Sequence, residues 1–543
     1  VGAEPADGAQ LLTQVAGLPV ASETLAAITR QAPEAAEPDP AAAVRVARAA
    51  VARGAGSDAA LVLAQALAAS GRPGEAEEVL AGLAVDGDAR RLGLAATRLG
   101  NLRWGVGSPD RAAAFAAEID QGSWTDPRRP ELLVLRAADL AYAGRYGEAL
   151  AAVAPLLDHV ERLGPLAGPA RVVAAEAWCG TGRHQAALAA AGLGRAALPA
   201  AASWAPGWGL PQLDSASCGA LVGLGRLAEA AALAEAGHRR AVAARQPVAQ
   251  ALYGGWHGIV LARQGRLGAA LERLHDAAGA ARDGAFPFLV HVRAQIAEAE
   301  AMRGDAVAAA AALRHAERAV EAVGGVGEAW VVLASAWTAA AQGGDAVTRA
   351  LDAARRARAL SQLQVELQAL HGCVRFDAAE AALERIGEVA ERVDGPIALA
   401  YARHARALAA GDARALGEVA DVFAGHGMLL LAAEVAAQAA RLHELAGRKR
   451  ASRLTATRAR QWAGRCEGAA TPPLASLGAA GVLTSRESEI AALAAAGMTS
   501  KAIAAQLMVS VRTVDNVLHG IYRKLGVPGR RELGVALRAG VGE

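Results

Sequence analysis

A recurring glycine constrains this chain more than any other feature. Gly71-Arg72, Gly107-Ser108, Gly144-Arg145, Gly182-Arg183, Gly225-Arg226, Gly265-Arg266, Gly304-Asp305 and Gly344-Asp345 follow one another at intervals of 36, 37, 38, 43, 40, 39 and 40 residues. An Ala-rich segment precedes each turn, and a second Ala/Glu/Leu segment follows it. Self-similarity at such a period marks stacked supersecondary units. Each unit reads as two helices joined at a glycine, and neither helix can bury its apolar face alone. Neighbouring units must therefore share one continuous core. Further turns fall near Gly411 and Gly447, and the 67 residues between Gly344 and Gly411 read as an irregular unit around Arg375.

Composition supports helices throughout. Hydrophobic residues make up 53% of the 543, but only 3% are aromatic. Alanine dominates; it is the best helix former, and its small side chain lets helices approach closely. The fold class expected is all-α: a helical-repeat solenoid followed by a small tetrahelical domain. Gly144, Tyr146 and Ala149, in the run GRYGEA, resemble the inter-helix turn of tetratricopeptide repeats. The period exceeds the usual ~34 residues, so the solenoid is described as TPR-like.

The expected boundaries are residues 1–55 for an N-terminal helical segment (a helix around Leu11 to Ile28) and a linker containing Pro33, Pro38 and Pro40; 56–465 for the solenoid; 466–482 for a flexible linker; and 483–543 for the terminal domain. The linker holds Pro472-Pro473 and three glycines. Fully extended, the sixteen residues from Glu467 to Val482 span at most ~50 Å at ~3.3 Å each. Within the solenoid, Ser203 to Pro211 carries two Trp and two Pro and reads either as a binding edge or as a loop pinned by Trp packing.

The terminal domain holds the strongest local pattern. Thr484 and Glu487 form a capping box, Gly497 stops the first helix, a second starts near Thr499, and Ser510 is the N-cap of a third. In that third helix Val511, Val514, Leu518, Ile521 and Leu525 are spaced 3, 4, 3 and 4, as one buried stripe. Arg512, Asn516, His519 and Arg523 lie opposite, offering donors and charge. A short turn between two helices, the second polar outside, is the layout of a helix-turn-helix DNA reader.

Leu483-Thr484, Arg486-Glu487, Glu489-Ile490, Gly497, Thr499 to Ala504, Leu507, Ser510, Thr513-Val514 and Lys524 to Val527 resemble the LuxR/GerE-type helix-turn-helix of bacterial transcription regulators. The resemblance implies a four-helix domain that binds the major groove of double-stranded DNA, usually as a homodimer. Arg512 and Asn516 are the candidates for base edges, because Arg pairs with guanine and Asn with adenine. His519 and Arg523 reach bases or phosphates farther along. Thr499, Ser500 and Lys501 grip phosphate, Thr513 and Lys524 position the backbone, and Asp515 either accepts from cytosine or lowers non-specific binding. Arg530 to Ala539, with Leu533 and Leu537, is a fourth helix for dimer contact or for capping the core. The chain also resembles the back half of the large ATP-binding LuxR-type regulators without their ATPase part, as a truncated or split member or a shortened regulator.

Charge is placed unevenly. Residues 448–543 hold fifteen Lys/Arg and six Asp/Glu, leaving −7 for the rest of a chain whose net charge is +2. A basic end on an acidic body fits a partner-binding region joined to a nucleic-acid-binding one. Arg448 to Arg465, with seven basic residues and no acid, reads as phosphate attraction near DNA or as the exposed end of the last solenoid helix. Cys179, Cys218, Cys373 and Cys466 are far apart and form neither a metal-ligand spacing nor a disulfide framework, so a reducing cytoplasm is the natural setting. No apolar run has membrane length. No Gly-Lys dipeptide exists, which excludes a Walker A loop, and there is no HExxH helix, dinucleotide fingerprint or nucleophile elbow. Nothing in the residues supports an enzyme, and no cofactor is expected.

The function expected is a DNA-binding transcriptional regulator whose solenoid senses a partner protein, peptide or small effector. A helical-repeat adaptor with a vestigial DNA head is the alternative, supported by Asp515, Val517 and Gly520 at positions where the family usually carries other residues. A sigma-factor-like promoter module shares the helix pair but not the many other LuxR-type matches.

Overall fold

The computed structural model describes residues 40–54, 56–121, 130–197, 209–280, 287–323, 326–480, 485–495, 497–507, 509–525, 527, 529–530 and 533. The helical pattern around Leu11 to Ile28, Trp204, Trp208, Thr484 and Leu537 lie outside them. Eleven helical hairpins follow one another. Their paired helices are Gly56–Ala69 with Pro73–Ala81, Asp88–Gly100 with Pro109–Gln121, Pro130–Tyr142 with Tyr146–Val153, and Ala167–Gly180 with His184–Ala197. Next come Leu210–Gly223 with Leu227–Ala243, Pro247–Arg263 with Leu267–Ala280, Pro287–Met302 with Ala306–Ala322, and Glu328–Ala341 with Ala346–Ala359. The last three are Leu363–Arg375 with Leu383–Ala390, Pro396–Ala409 with Ala413–Gly425, and Leu429–Leu445 with Lys449–Ala463. No strand occurs among the described residues.

Each turn is built locally. Gly144 has φ +73°, Gly182 +77° and Gly225 +74°, a left-handed conformation that costs glycine nothing. The next residue's N–H then reaches back to the preceding helix, as Arg145 to the Leu140 carbonyl at 2.9 Å and Arg183 to that of Trp178 at 2.8 Å. These are the bonds that close a helix C-terminus. In six of the turns the residue after the glycine starts the second helix by one of two routes. Asp305, Asp345 and Asp412 accept from the backbone N–H of Ala308, Thr348 and Ala415 as N-caps. Arg72, Arg145 and Arg226 clasp Glu75, Glu148 and Glu229 three residues on.

The irregular unit expected around Arg375 is a hairpin whose turn residue is Asp377 rather than glycine and whose second arm opens with the 3-10 turn Ala379–Ala381. Asp377 takes φ +61°, and Ala378 N–H bonds the Cys373 carbonyl at 2.9 Å in the usual turn pattern. Its carboxylate accepts from Gln438 Nε2 at 2.8 Å and pairs with Arg441 at 3.1 Å, holding a conformation that Asp tolerates better than most residues. In the preceding turn the left-handed residue is Gly343, φ +72°, not Gly344.

Two boundaries differ from expectation. Pro40 opens the helix Pro40–Ala52, and Val44, Ala47 and Ala50 are buried against Ala59, Val62 and Leu63 of the first hairpin. A proline fits there because the first N–H of a helix has no partner to lose. The stretch 466–480 is not a free tether. Cys466 and Thr471 are fully buried, Glu467 Oε2 accepts from Ala269 N–H at 2.9 Å, and Ala470 N–H donates to the Met302 carbonyl at 2.7 Å. Pro472–Ala480 is a helix whose Leu474 and Leu477, one turn apart, join the main repeat core.

The repeats also wind back on themselves. A side-chain carbon at Gly144 would fall 2.4 Å from Gln362 Nε2, at Gly182 2.7 Å from Val393 Cγ2, and at Gly265 2.7 Å from Cys466 Sγ. Gln362 Nε2 donates to the Gly144 carbonyl at 3.1 Å, and Asp394 N–H to that of Gly182 at 2.8 Å. Turns in the first half of the solenoid thus rest on elements about five hairpins later, so successive superhelical turns touch. At Gly343, Gly411 and Gly447 nothing lies within 4 Å of the position.

Candidate nucleic-acid interface

Three helices form the head among the described residues: Ser485–Ala495, Ser500–Gln506 and Val511–Leu525. Ile490, Ala491, Ala494, Ile503, Val514, Leu518 and Ile521 build its core. Gly497, φ +86°, ends the first helix, and Met498 N–H closes on the Leu493 carbonyl at 3.1 Å. Thr499 Oγ1 accepts from Ala502 N–H at 3.2 Å and caps the second helix. Ser510 Oγ accepts from Thr513 N–H at 3.0 Å and caps the third, as its sequence position predicts.

The third helix divides as follows. Val514, Leu518 and Ile521 are buried, and Val517 is half-buried against the same core. Val511 departs from the expected stripe: it is 42% exposed, because the helix's first turn runs past the core. Val517 completes the stripe in its place, so that residue serves packing. The Leu525 and Lys524 side chains lie outside the described residues.

Arg512, Thr513, Asp515, Asn516, His519 and Arg523 are all exposed. Thr513 Oγ1 shares a 2.7 Å hydrogen bond with Ser510 Oγ and so belongs to the cap. The His519 ring lies 6.2 Å from that of Tyr522. No described residue hydrogen-bonds or ion-pairs with the side chains of Arg512, Asp515, Asn516 or Arg523. At the start of the second helix Lys501 is exposed. Thr499 is occupied by its cap, and the Ser500 hydroxyl accepts from Arg530 Nη1 at 3.4 Å. Of the three residues expected to grip phosphate there, Lys501 alone presents a side chain without a partner among the described residues.

Two stabilising residues escaped the sequence reading. Arg530 also donates to the Met498 carbonyl, so it straps the start of the second helix. Arg486 pairs with Glu489 at 2.7 Å and donates to the Leu507 carbonyl at 2.9 Å, closing the end of that helix. Neither long-range bond has a local signal, since partners 32 and 21 residues apart meet only through the fold. Leu533 is fully buried in the head core, so at that position the fourth segment caps the domain. Gly520 has nothing within 4 Å of where a side chain would begin.

The basic run at the end of the repeats is the second helix of the last hairpin. Arg448, Lys449, Arg450 and Arg453 are exposed, Arg458 pairs with Asp421, and Arg460 donates to the Leu477 carbonyl at 3.3 Å. All four cysteines are free thiols, and no described helix is long and apolar enough to cross a membrane.

Residues 481–536 match the family model of bacterial regulatory proteins of the luxR family, GerE. The head is thus a LuxR-type helix-turn-helix, a DNA-binding domain of transcription regulators, and the chain joins it to TPR-like helical repeats. No curated protein matches the chain. Among solved structures, the Rap protein complexed with competence and sporulation factor is 12% identical, with 68% of this chain and 99% of that one covered and a TM-score of 0.39. The APC/C hetero-tetramer Cut9–Hcn1 is 13% identical over 78% and 91%, with a TM-score of 0.36. The pentatricopeptide repeat protein PPR10 from maize is 13% identical over 95% and 75%, with a TM-score of 0.22.

Proposed function

We propose that this protein is a cytoplasmic transcription regulator that reads duplex DNA through the third helix of its head, as a homodimer, under the control of an input received by the repeats. One observation carries the reading: a helix buried on one side keeps Arg512, Asp515, Asn516 and Arg523 exposed on the other, without a polar partner among the described residues. An Arg and an Asn one helical turn apart suit bidentate contacts to guanine and adenine edges. His519 and Arg523 follow the same face toward further bases or phosphate. Lys501 supplies charge to a phosphate, with Thr499 and Ser500 shaping the backbone beside it. Thr513 and Lys524 set the register, and Asp515 either accepts from cytosine N4 or lowers affinity for non-cognate DNA.

A gel shift of the full chain on chromosomal fragments tests this. Retention of a subset of fragments is the expected result, and no shift at low salt would remove the regulator reading in favour of a helical-repeat adaptor. Arg512→Ala should cost about 1–3 kcal/mol on the selected sequence and relax preference at one base pair. Lys501→Ala should weaken all sequences alike and flatten the dependence of affinity on salt.

A further inference from the structure

The axis of the superhelix is not filled. One cavity of about 210 Å³ runs along it, lined by residues of seven consecutive hairpins, from Tyr142 to Gln368. It is larger than the roughly 150 Å³ apolar cavity that suffices to hold benzene. The contact between superhelical turns borders it: Gln362 bonds the Gly144 carbonyl, and Gln364 Oε1 lies 3.0 Å from His184 Nε2.

The lining has two chemistries. Trp256 and Phe288 lie with ring centroids 5.4 Å apart, and His291 stacks on Trp330 at 4.1 Å and 22°. Together they form an apolar, ring-shaped wall. Beside it stands Arg263. Its Nη2 donates to Gln368 Oε1 at 2.6 Å, but its Nε is buried without a partner, and no described carboxylate lies within ion-pair distance. His291 Nε2 is also buried without a partner. Glu298, across Arg263 in an adjoining void of about 40 Å³, is pushed toward its neutral form by burial, which Arg263 only partly offsets. An uncompensated guanidinium and an unpartnered ring nitrogen facing one cavity are costly to leave unmet. Concave, mostly apolar sites with a few convergent polar groups are where small molecules bind.

We infer that the axial cavity is a binding site for a small, flat organic acid, its ring lying against Trp256, Phe288 and Trp330 and its carboxylate meeting Arg263. Gln368 holds the guanidinium plane, and the neutral His291 ring accepts or donates one further hydrogen bond. Ser215 is already engaged, because Trp256 Nε1 donates to it at 2.8 Å. The inference rests on the reading of the repeats as the input side and names the chemistry of that input.

Calorimetry on the full chain, without DNA, tests it with phenylacetate, indole-3-acetate and 2-naphthoate, each beside its uncharged primary amide. At least one acid should bind at least tenfold tighter than its amide. Arg263→Gln should bring that acid down to the level of the amide. Arg263→Lys, which keeps the charge but not the planar fork, should retain part of the difference. Circular dichroism melts establish that each variant is folded; should Arg263→Gln fail to fold, Arg263→Lys carries the comparison. Equal binding of acid and amide, no binding of any acid, or an acid bound as well by Arg263→Gln as by wild type would each overturn the proposal. The gel shift without any acid reports separately on the DNA reading, so either can fail alone.

Discussion

Arg375 and Arg512 carry the same guanidinium in opposite settings. Arg375, in the repeats, is 7% exposed; it forks onto Glu434, itself fully buried, at 2.7 and 2.8 Å, and stacks 4.1 Å over the Trp337 ring. Arg512, in the head, is exposed and meets no described residue. Several other buried polar groups of the repeats are paired in the same way. Asp214 receives Arg195, Arg240 and Tyr253, Glu366 receives Arg385, and His371, His404 and Gln438 form a buried chain. The comparison teaches that these paired polar residues of the solenoid specify how hairpins stack, whereas Arg512, Asp515, Asn516 and Arg523 on the third head helix have no polar partner among the described residues. Arg263, in the axial cavity, meets Gln368 but no described carboxylate.

Glu434→Ala should produce the largest effect, because it strands Arg375 in the core. A loss of about 3–5 kcal/mol is expected, read as the shift in urea midpoint of the full chain. Arg512→Ala should leave that midpoint unchanged, and a large shift would break the contrast. Two glycine turns sharpen it next. Gly411→Ala meets only the cost of a left-handed alanine, about 1 kcal/mol. Gly182→Ala must also move Val393, so roughly 2–3 kcal/mol is expected. Equal losses would mean that the contact between superhelical turns yields easily. Gly520→Ala should go the other way and raise head stability by about 1 kcal/mol, since the position is helical and open.

The smallest effect concerns pH. Burial lifts the carboxyl of Glu176, on the cavity wall, to about 8. Between the ordinary carboxylate range and that value, the folded chain holds a proton that the unfolded chain releases. Stability therefore falls as pH rises through this window. Glu176→Gln should melt like wild type at pH 4 and roughly 1–3 °C higher at pH 8. Identical melting at both values would place Glu176 in contact with bulk water.

Much of this was legible in sequence wherever a residue acts locally. The glycine period located most hairpin turns because a left-handed turn favours a residue without a Cβ, and Ser510 announced a helix because its hydroxyl caps the N–H three residues on. Asp377 breaks that period because it is not a glycine. That aspartate holds the same conformation with help from Gln438 and Arg441, which the chain supplies some sixty residues later. The stretch 466–480 looked like a tether because its prolines and glycines punctuate. What folds it down is Leu474 and Leu477 meeting the preceding repeats, together with the bonds to Met302 and Ala269.

By itself, then, the sequence determined the class of element, the period of the stack and the two-faced third helix of the head, since each follows from spacing within a few residues. Only the tertiary structure decided that the superhelix closes on itself, that Arg263 meets Gln368 but no described carboxylate beside an axial cavity, and that Arg530 straps the second head helix. Those outcomes depend on side chains that meet across 30 to more than 200 residues. Such a meeting is set by how each hairpin rotates on the last, a small angle compounded over many units, and no local spacing encodes it.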